Sequence, residues 1–587
     1  MGPAQVGKRP WYDLPRLLAM PRLIEIRNSM RARNLHDTEE PALAKVDPAT
    51  VAPELKAHRN VDGTHNDLAH PHMGAVGARF GRNVPLANVS PDTAQLMEPN
   101  PRLVSRQLMT RHQFQPATIL NLTAAAWLQF MVHDWFAHKR HSLSDRPVEI
   151  PLEGDDPWPY RPMRIRRTEQ DPAPAGSTHP PAYRNEVTHW WDGSQVYGCD
   201  LTTLNQLRSF TGGKLKMEAN GRLPLNPDNQ LDLTGLADNW WVGISMMHHL
   251  FAAEHNSICD MFHAKFPAWN DEQLFQRARL VNCALMAKIH TIEWTPAIVP
   301  HPVIKIAMNA NWKGLLGEKL QDLIESINDS ELLGGIVGSK FDHHAAPYSL
   351  TEEFVAVYRM HPLMPDDLTF RRLKDDSIIE QRELPDVHST LTHSFMNRYH
   401  FADLWYSFGR MHPGAIRLHN YPRFLQDHTR ASGEHFDLAM IDIFRDRERG
   451  VPRYNEFRRL IGKDPVKSFE ELTDNPTWRE EIRTLYGGDL EKVDLMVGLY
   501  AEPLPAGFGF SETAFRIFVL MASRRLKSDR FFTDDYRPEI YTQEGLDYIR
   551  HNGMKQVLLR HMPELKPVLD QVLNPFAPWP AVTVKKP

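Results

Sequence analysis

Apolar residues recur at spacings of three and four over residues 118–137, 239–265, 271–294, 316–328, 350–361, 392–410, 479–497 and 511–529, and each stretch predicts a helix. No long series of alternating polar and apolar positions is present, so the fold class is mainly α. Residues 138–187 break the helical pattern. Nine prolines fall between Pro147 and Pro181, which predicts a long irregular excursion. Near the start, Trp11 to Met30 mix Leu, Ile and Met with Arg, Glu and Asp. That pattern suits an amphipathic helix, either docked on the protein body or touching lipid, and Pro15 and Pro21 interrupt it. The reading is an N-terminal arm over 1–110, one catalytic domain over 111–575 and a tail over 576–587.

Composition narrows the class without naming a function. The chain has 587 residues, 42% hydrophobic and 24% charged, as in ordinary soluble globular proteins. A net charge of −5 gives no sign of a nucleic-acid partner. Cys199, Cys259 and Cys283 are too few and too scattered for a disulfide framework or a zinc site. No run of eighteen apolar residues predicts a membrane span, and the start carries neither a signal core nor a myristoylation pattern. The expected location is cytoplasmic, with peripheral membrane or lipid-surface contact left open. There is no Gly-rich phosphate loop, no GxSxG, no HExxH and no Rossmann fingerprint.

The chemistry-bearing residues lie in a few stretches. On the 118–137 helix, Gln129 and His133 are four apart and share a face. A neutral His133 can take a proton from a bound hydroperoxide and return it to the leaving oxygen. Asp134 points elsewhere and needs its own partner. A hard cation such as calcium would serve, with oxygen ligands from Thr188, Asp192 and Ser194 and the carbonyl of Trp190. A plain polar turn is the alternative. At 350–361, helical spacing would put Tyr358 and His361 on one side of the helix, which Pro362 would end. His361 can hold a heme iron and Tyr358 can give that heme an electron. A core tyrosine with a histidine at a helix C-terminus reads equally from the spacing.

Two further stretches suit an acid-bearing ligand. His290 and Thr295 are polar groups on a mostly apolar helix that ends at Pro296. Ser511 is a plausible N-cap for a helix carrying Arg524 and Arg525, which diverge by about 100°. One of the pair can point inward and grip a carboxylate, or form a structural salt bridge. The histidines at 248, 249, 255, 343 and 344 read as structural.

Taken together, Gln129 to Asp134, Thr188 to Tyr197, Glu254-His255-Asn256, Tyr358 to Asp366 and Arg445 to Arg459 resemble the ordered motifs of the animal-type heme peroxidase and cyclooxygenase superfamily. The segments 290–295 and 523–532 are similar to those of the fatty acid alpha-dioxygenases. The resemblance implies a mainly α, animal heme peroxidase-like helical fold with long irregular loops, a heme b and a calcium ion. It implies a distal His133 with Gln129, a proximal His361, a radical Tyr358, and a carboxylate site of His290, Thr295 and Arg525, with Arg524 as the fallback. Val132 stands where covalently tethered peroxidases carry an acid, and Ala237 to Trp241 contain no Arg-x-x-Glu, so non-covalent heme is expected. The activity implied is oxygenation of a fatty acid at C2 by O2 through a tyrosyl radical. A peroxidase of small phenols or halides, and cyclooxygenase-like or diol-synthase-like oxygenation of polyunsaturated acids, are the alternatives.

Overall fold

The computed structural model describes residues 9–89, 95–171, 179–315, 331–430 and 433–582. The helix expected at 316–328 lies outside the described residues. Nine helices frame the site. They are α1 (Arg16–Arg33), α2 (Leu122–Val132), α3 (Val242–Lys265), α4 (Asp271–Ile289), α5 (Pro302–Lys313), α6 (Glu352–Val357), α7 (Phe401–Arg410), α8 (Leu438–Glu448) and α9 (Glu512–Lys527). Strands are minor. Among the described residues they form three two-stranded antiparallel ladders, the longest pairing Asp367–Arg371 with Ile378–Glu383. Among its described residues, the proline-rich excursion contributes one two-stranded ladder, Val148–Ile150 paired with Met163–Ile165, and a few isolated bridges.

Helix α2 sits at the centre. Every residue except Gln129 and Val132 is buried, the signature of a helix surrounded by others rather than lying on a surface. It packs on α3, and α3 packs along α4. Helix α4 starts at a capping box between Asn270 and Gln273. Its helical path then continues as a wider π turn over His290–Trp294 and a last turn over Thr295–Ile298. The Thr295 hydroxyl donates to the His290 carbonyl oxygen at 2.9 Å, which matches the longer stride of that turn. Such insertions often mark functional sites.

Several expected helices prove shorter or divided. The 350–361 helix stops at Val357, and Tyr358 is its C-cap at φ −89°, ψ 8°. His361 begins a separate 3-10 turn containing Pro362. The two residues therefore do not share a helix face, because Tyr358 ends one helix and Met360, at φ −104° and ψ 30°, breaks the path before the turn that His361 begins. The 479–497 stretch divides into Pro476–Leu485 and Leu495–Ala501, since Gly487 and Gly488 adopt left-handed φ of 61° and 77°. The 392–410 stretch divides into Leu391–Met396 and α7, with Asn397 capping the first.

The N-terminal arm is docked. Pro15 caps α1 and Pro21 is tolerated within it. Ala19, Leu23 and Met30 are buried, and the Trp11 indole donates to Glu512 Oε1 at 3.2 Å. Among the described residues no helix is long and apolar enough to cross a membrane.

Candidate active site

Three consecutive residues at the end of α2 reach three destinations. His133 is the C-cap, and the helix stops there. His133, Asp134 and Trp135 can therefore diverge without the constraint of a continuing helix. Burial pulls His133 down to about 4, with Asp238 opposing, so the ring is the neutral imidazole at pH 7. Its Nδ1 is enclosed without a partner. Gln129 is fixed one turn earlier, accepting from the Trp241 indole at 2.6 Å and donating to the Asn239 carbonyl at 3.2 Å.

Tyr358 lies against this helix end. Its ring meets Trp135 edge-on at 5.1 Å and touches Phe354 at 4.6 Å and Phe518 at 5.8 Å. Burial raises the Tyr358 hydroxyl well above 10, with the Arg525 charge opposing. The hydroxyl makes no hydrogen bond among the described residues. Three residues on, His361 Nδ1 donates to Asp442 Oδ2 at 2.7 Å. Asp442, on α8, also accepts from Tyr421 at 2.9 Å and from Arg359 at 2.5 Å. Burial pushes the Asp442 carboxyl up, but His361, Arg359 and Tyr421 together hold it below its usual range. An imidazole that donates from Nδ1 keeps its Nε2 lone pair for a metal. The His361 side chain is 34% exposed, so that nitrogen is not sealed in the core. The chemistry of these residues fits a heme: an imidazole nitrogen free for iron and backed by a carboxylate, and a second, neutral imidazole.

Arg525 and His290 meet beside Tyr358. The guanidinium carbon of Arg525 lies 4.2 Å from the Trp135 ring and 4.6 Å from the Trp191 ring. Arg525 is only 2% exposed, yet none of its three nitrogens makes a hydrogen bond of ordinary geometry, the Tyr348 hydroxyl being a polar group close beside it. The Tyr348 hydroxyl, which feels that charge, is given to the His189 carbonyl oxygen at 2.8 Å. Arg524 is the opposite case. Its Nη2 donates to the carbonyls of Ala346 and Pro347, each at 2.8 Å. His290 sits 5.3 Å from Trp135 and 5.4 Å from Trp191 and stacks on Trp294 at 4.6 Å. The Trp127 indole donates to its Nδ1 at 3.2 Å, so the neutral ring carries its proton on Nε2. Burial and then Arg525 lower its pKa well below 6.5. Thr295 is turned back on its own helix, as described above.

Asp134 and Asp192 form a buried acid pair. Ser194 N donates to Asp134 Oδ1 at 2.5 Å and to Asp192 Oδ1 at 3.3 Å, and the Ser194 hydroxyl also donates to Asp134. Thr188 donates to Asp192 Oδ2 at 2.9 Å. Burial, and then repulsion from Asp192, raise Asp134 to about 8, and Asp134 Oδ2 has no partner. Two facing carboxylates with hydroxyl oxygens around them suit a hard cation. Trp190 is packed nearby in the same loop, its indole donating to the Gly63 and Met73 carbonyls at 3.0 and 3.2 Å. Among the described residues, no group of three or more His, Cys, Asp or Glu side chains is arranged to hold a metal, so any cation here would rest on this acid pair and on neutral oxygens.

Residues 58–573 match the family described as "Animal haem peroxidase". The chain is 36% identical to Alpha-dioxygenase 1 of Arabidopsis thaliana, covering 98% of this chain and 91% of the relative. The chain belongs to the alpha-dioxygenases of the animal haem peroxidase family. The crystal structure of the Oryza sativa fatty acid alpha-dioxygenase superposes with a TM-score of 0.92 at 35% identity, covering 99% of this chain and 96% of that one. A Tyr-to-Phe variant of the rice enzyme, solved with palmitic acid, gives the same score and coverage.

As an alpha-dioxygenase the chain has the expected mainly helical fold. The pattern of apolar positions missed some of the residues that build the site. Asp442 is an acid inside the apolar run Met440 to Phe444, and only that misplacement could have marked it. Trp135 and Trp191 each adjoin one member of the acid pair in sequence, but nothing in their spacing shows that they converge on Arg525. The histidines at 248, 249, 255 and 343 are hydrogen-bonded to neighbouring groups, for example His255 between Tyr197 and the Gly213 carbonyl at 2.9 Å each, and His343 with Asp67 at 2.9 Å, while His344 lies 3.8 Å from Glu331.

Proposed function

We propose that this alpha-dioxygenase oxygenates fatty acids at C2, with the carboxylate anchored by Arg525 and His290 and hydrogen abstraction carried by Tyr358. The observation that supports this most is Arg525: a buried guanidinium with no hydrogen bond of ordinary geometry, on the Trp135 ring that also meets the tyrosine. A fatty acid carboxylate accepts two parallel hydrogen bonds from such a group. His290 Nε2–H is a second donor, and Thr295 holds the turn that presents it. Palmitic acid in the rice relative is consistent with this chemistry.

The residues divide the work as follows. His361 would hold the heme iron and His133 would move the proton between peroxide oxygens, with Gln129 holding the distal face. Heme, when bound, supplies the oxidising power that removes a hydrogen atom from Tyr358. The Tyr358 hydroxyl has no partner to hold it, so its oxygen is left to face the substrate. Tyr358 as a radical takes a hydrogen atom from C2, O2 adds to the carbon radical, and the peroxyl takes a hydrogen atom back from Tyr358. The product is a 2-hydroperoxy fatty acid. Methylenes along the chain have similar C–H bonds, so anchoring by the head group is what selects C2. Asp134, Asp192, Thr188, Ser194 and the Trp190 carbonyl would hold calcium and fix the end of α2 against the 188–194 loop. The arm α1 (Arg16–Arg33) leaves Leu17 89% exposed, which suits peripheral contact with a lipid surface.

Oxygen uptake by the heme-loaded protein with palmitate, with mass spectrometry of the product, tests the reading. A 2-hydroperoxide or the aldehyde one carbon shorter is expected. Inert palmitate with turnover of arachidonate or guaiacol would move the protein to polyunsaturated-acid oxygenation or to peroxidase chemistry.

A further inference from the structure

Among the described residues Arg525 is a buried cation with no carboxylate in ion-pair contact, although the Asp134 carboxyl feels its charge from farther off. A guanidinium in a protein interior is ordinarily oriented by carboxylates or carbonyl oxygens, and those partners use up its N–H groups. Arg524, one residue earlier, is held that way. Arg525 instead lies against two indoles, 4.2 Å from Trp135 and 4.6 Å from Trp191. Attraction to aromatic faces holds the charge and leaves the N–H edge free for a ligand.

The two indoles also connect the anchor to the rest of the site. The Trp135 ring meets Tyr358 at 5.1 Å with an interplanar angle of 84°, and both indoles meet His290. Each is peptide-bonded to one member of the acid pair, in the sequences Asp134-Trp135 and Trp191-Asp192. Ser194 N bridges the two acids. The spacing of the indole walls is thus tied to the loop that joins Asp134 to Asp192. The walls meet each other at 6.0 Å, edge to face.

We propose that Trp135 and Trp191 are positioning residues for the substrate carboxylate: their faces fix the guanidinium of Arg525 at a set distance from Tyr358, and that distance decides which carbon of the acyl chain meets the tyrosine. This rests on the fatty acid reading above. Neither indole touches the reacting carbon. Loosening a wall lets the guanidinium shift, which weakens carboxylate binding and brings C3 as well as C2 to Tyr358.

The test uses heme-loaded wild type with Trp135→Leu, Trp135→Phe, Trp191→Leu and Trp191→Phe. It reads the heme absorption spectrum, anaerobic palmitate affinity, KM against kcat, and the ratio of C2 to C3 oxygenation. For the leucine variants we expect an unchanged heme spectrum, palmitate affinity weaker by roughly tenfold or more, and a C3 product absent from wild type. The phenylalanine variants should recover most of both properties. In an Arg525→Ala background, adding Trp135→Leu should change palmitate affinity little, because the group it positions is gone. Palmitate affinity within twofold of wild type and exclusive C2 product in the folded leucine variants would overturn the proposal. If a leucine variant does not fold, the phenylalanine variants decide by the same readouts, and unchanged affinity with unchanged regiochemistry overturns it. Failure of the fatty acid reading is seen separately, as wild type that neither binds nor oxygenates palmitate, and the proposal falls with it.

Discussion

His361 Nδ1 donates to Asp442 Oδ2 at 2.7 Å, and the same carboxylate is held by Tyr421 and Arg359. A histidine so oriented presents Nε2 in one direction and is the more basic for its anionic partner. Asp442→Ala should therefore weaken heme retention roughly 10- to 100-fold, and Asp442→Asn, which preserves an acceptor without the charge, should lie between. Heme titration followed by absorbance checks this. Equal retention in all three proteins would count against His361 as the iron ligand.

The two adjacent arginines should separate cleanly. Arg524→Ala removes charge-assisted hydrogen bonds to two backbone carbonyls, each worth about 1.5–3 kcal/mol, so its melting temperature should fall while KM for palmitate holds. Arg525→Ala removes no backbone hydrogen bond but loses its contacts with the Trp135 and Trp191 rings. It should raise KM by a large factor, since the substrate charge is left unpaired at roughly 2–5 kcal/mol, and this rise in KM is what separates it from Arg524→Ala. The reverse outcome would place the carboxylate on Arg524.

Tyr358→Phe deletes a hydroxyl that has no hydrogen-bond partner to lose. Stability should be unchanged or slightly higher, and the heme spectrum should match wild type. Oxygen uptake with palmitate should vanish. Retained uptake would require another residue to carry the hydrogen abstraction.

How much of this was legible in the sequence differs by level. The helices α2, α3, α4 and α9 follow from long apolar spacings, because each is buried on most of its surface and the pattern is unbroken. The Tyr358–His361 segment was misread as continuous helix. The pair is close in sequence, but what places it is the non-helical turn before Pro362 and a carboxylate 81 residues away. The choice of Arg525 over Arg524 was only a resemblance in sequence. In the structure the two differ physically: Arg524 is bound to backbone carbonyls, and Arg525 makes no hydrogen bond of ordinary geometry. Contacts such as Trp135 with Arg525 span 390 residues and are a property of packing, which no local spacing encodes.

The acid pair gives a prediction about metal. With no cation present, burial and mutual repulsion keep a proton on Asp134 at neutral pH, since its carboxyl is raised to about 8. A divalent cation would replace that proton and join α2 to the 188–194 loop. Calcium added to chelator-treated protein should raise the melting temperature, and magnesium should do so less because it tolerates irregular coordination poorly. Asp134→Ala should abolish the calcium effect. A melting temperature indifferent to calcium and chelator would leave the pair as a plain hydrogen-bonded turn.

Glu293 lies in the π turn that carries His290, and its carboxyl accepts the Met554 N–H at 3.0 Å where a C-terminal helix begins. Burial raises it to about 7, with that N–H and Lys288 opposing. The folded value is above the unfolded one of 4.5, so Glu293 stabilises the fold fully below pH 4.5, and that contribution is lost as pH rises through about 7. Ionising this half-buried acid costs roughly 3 kcal/mol. Glu293→Gln keeps an acceptor for Met554 and cannot ionise. The variant should melt close to wild type at about pH 5 and above it at about pH 8, by a margin of a few degrees for a chain of this size. Thermal unfolding of both proteins at the two pH values measures this, and a difference that does not grow with pH would show that Glu293 does not titrate in the folded protein.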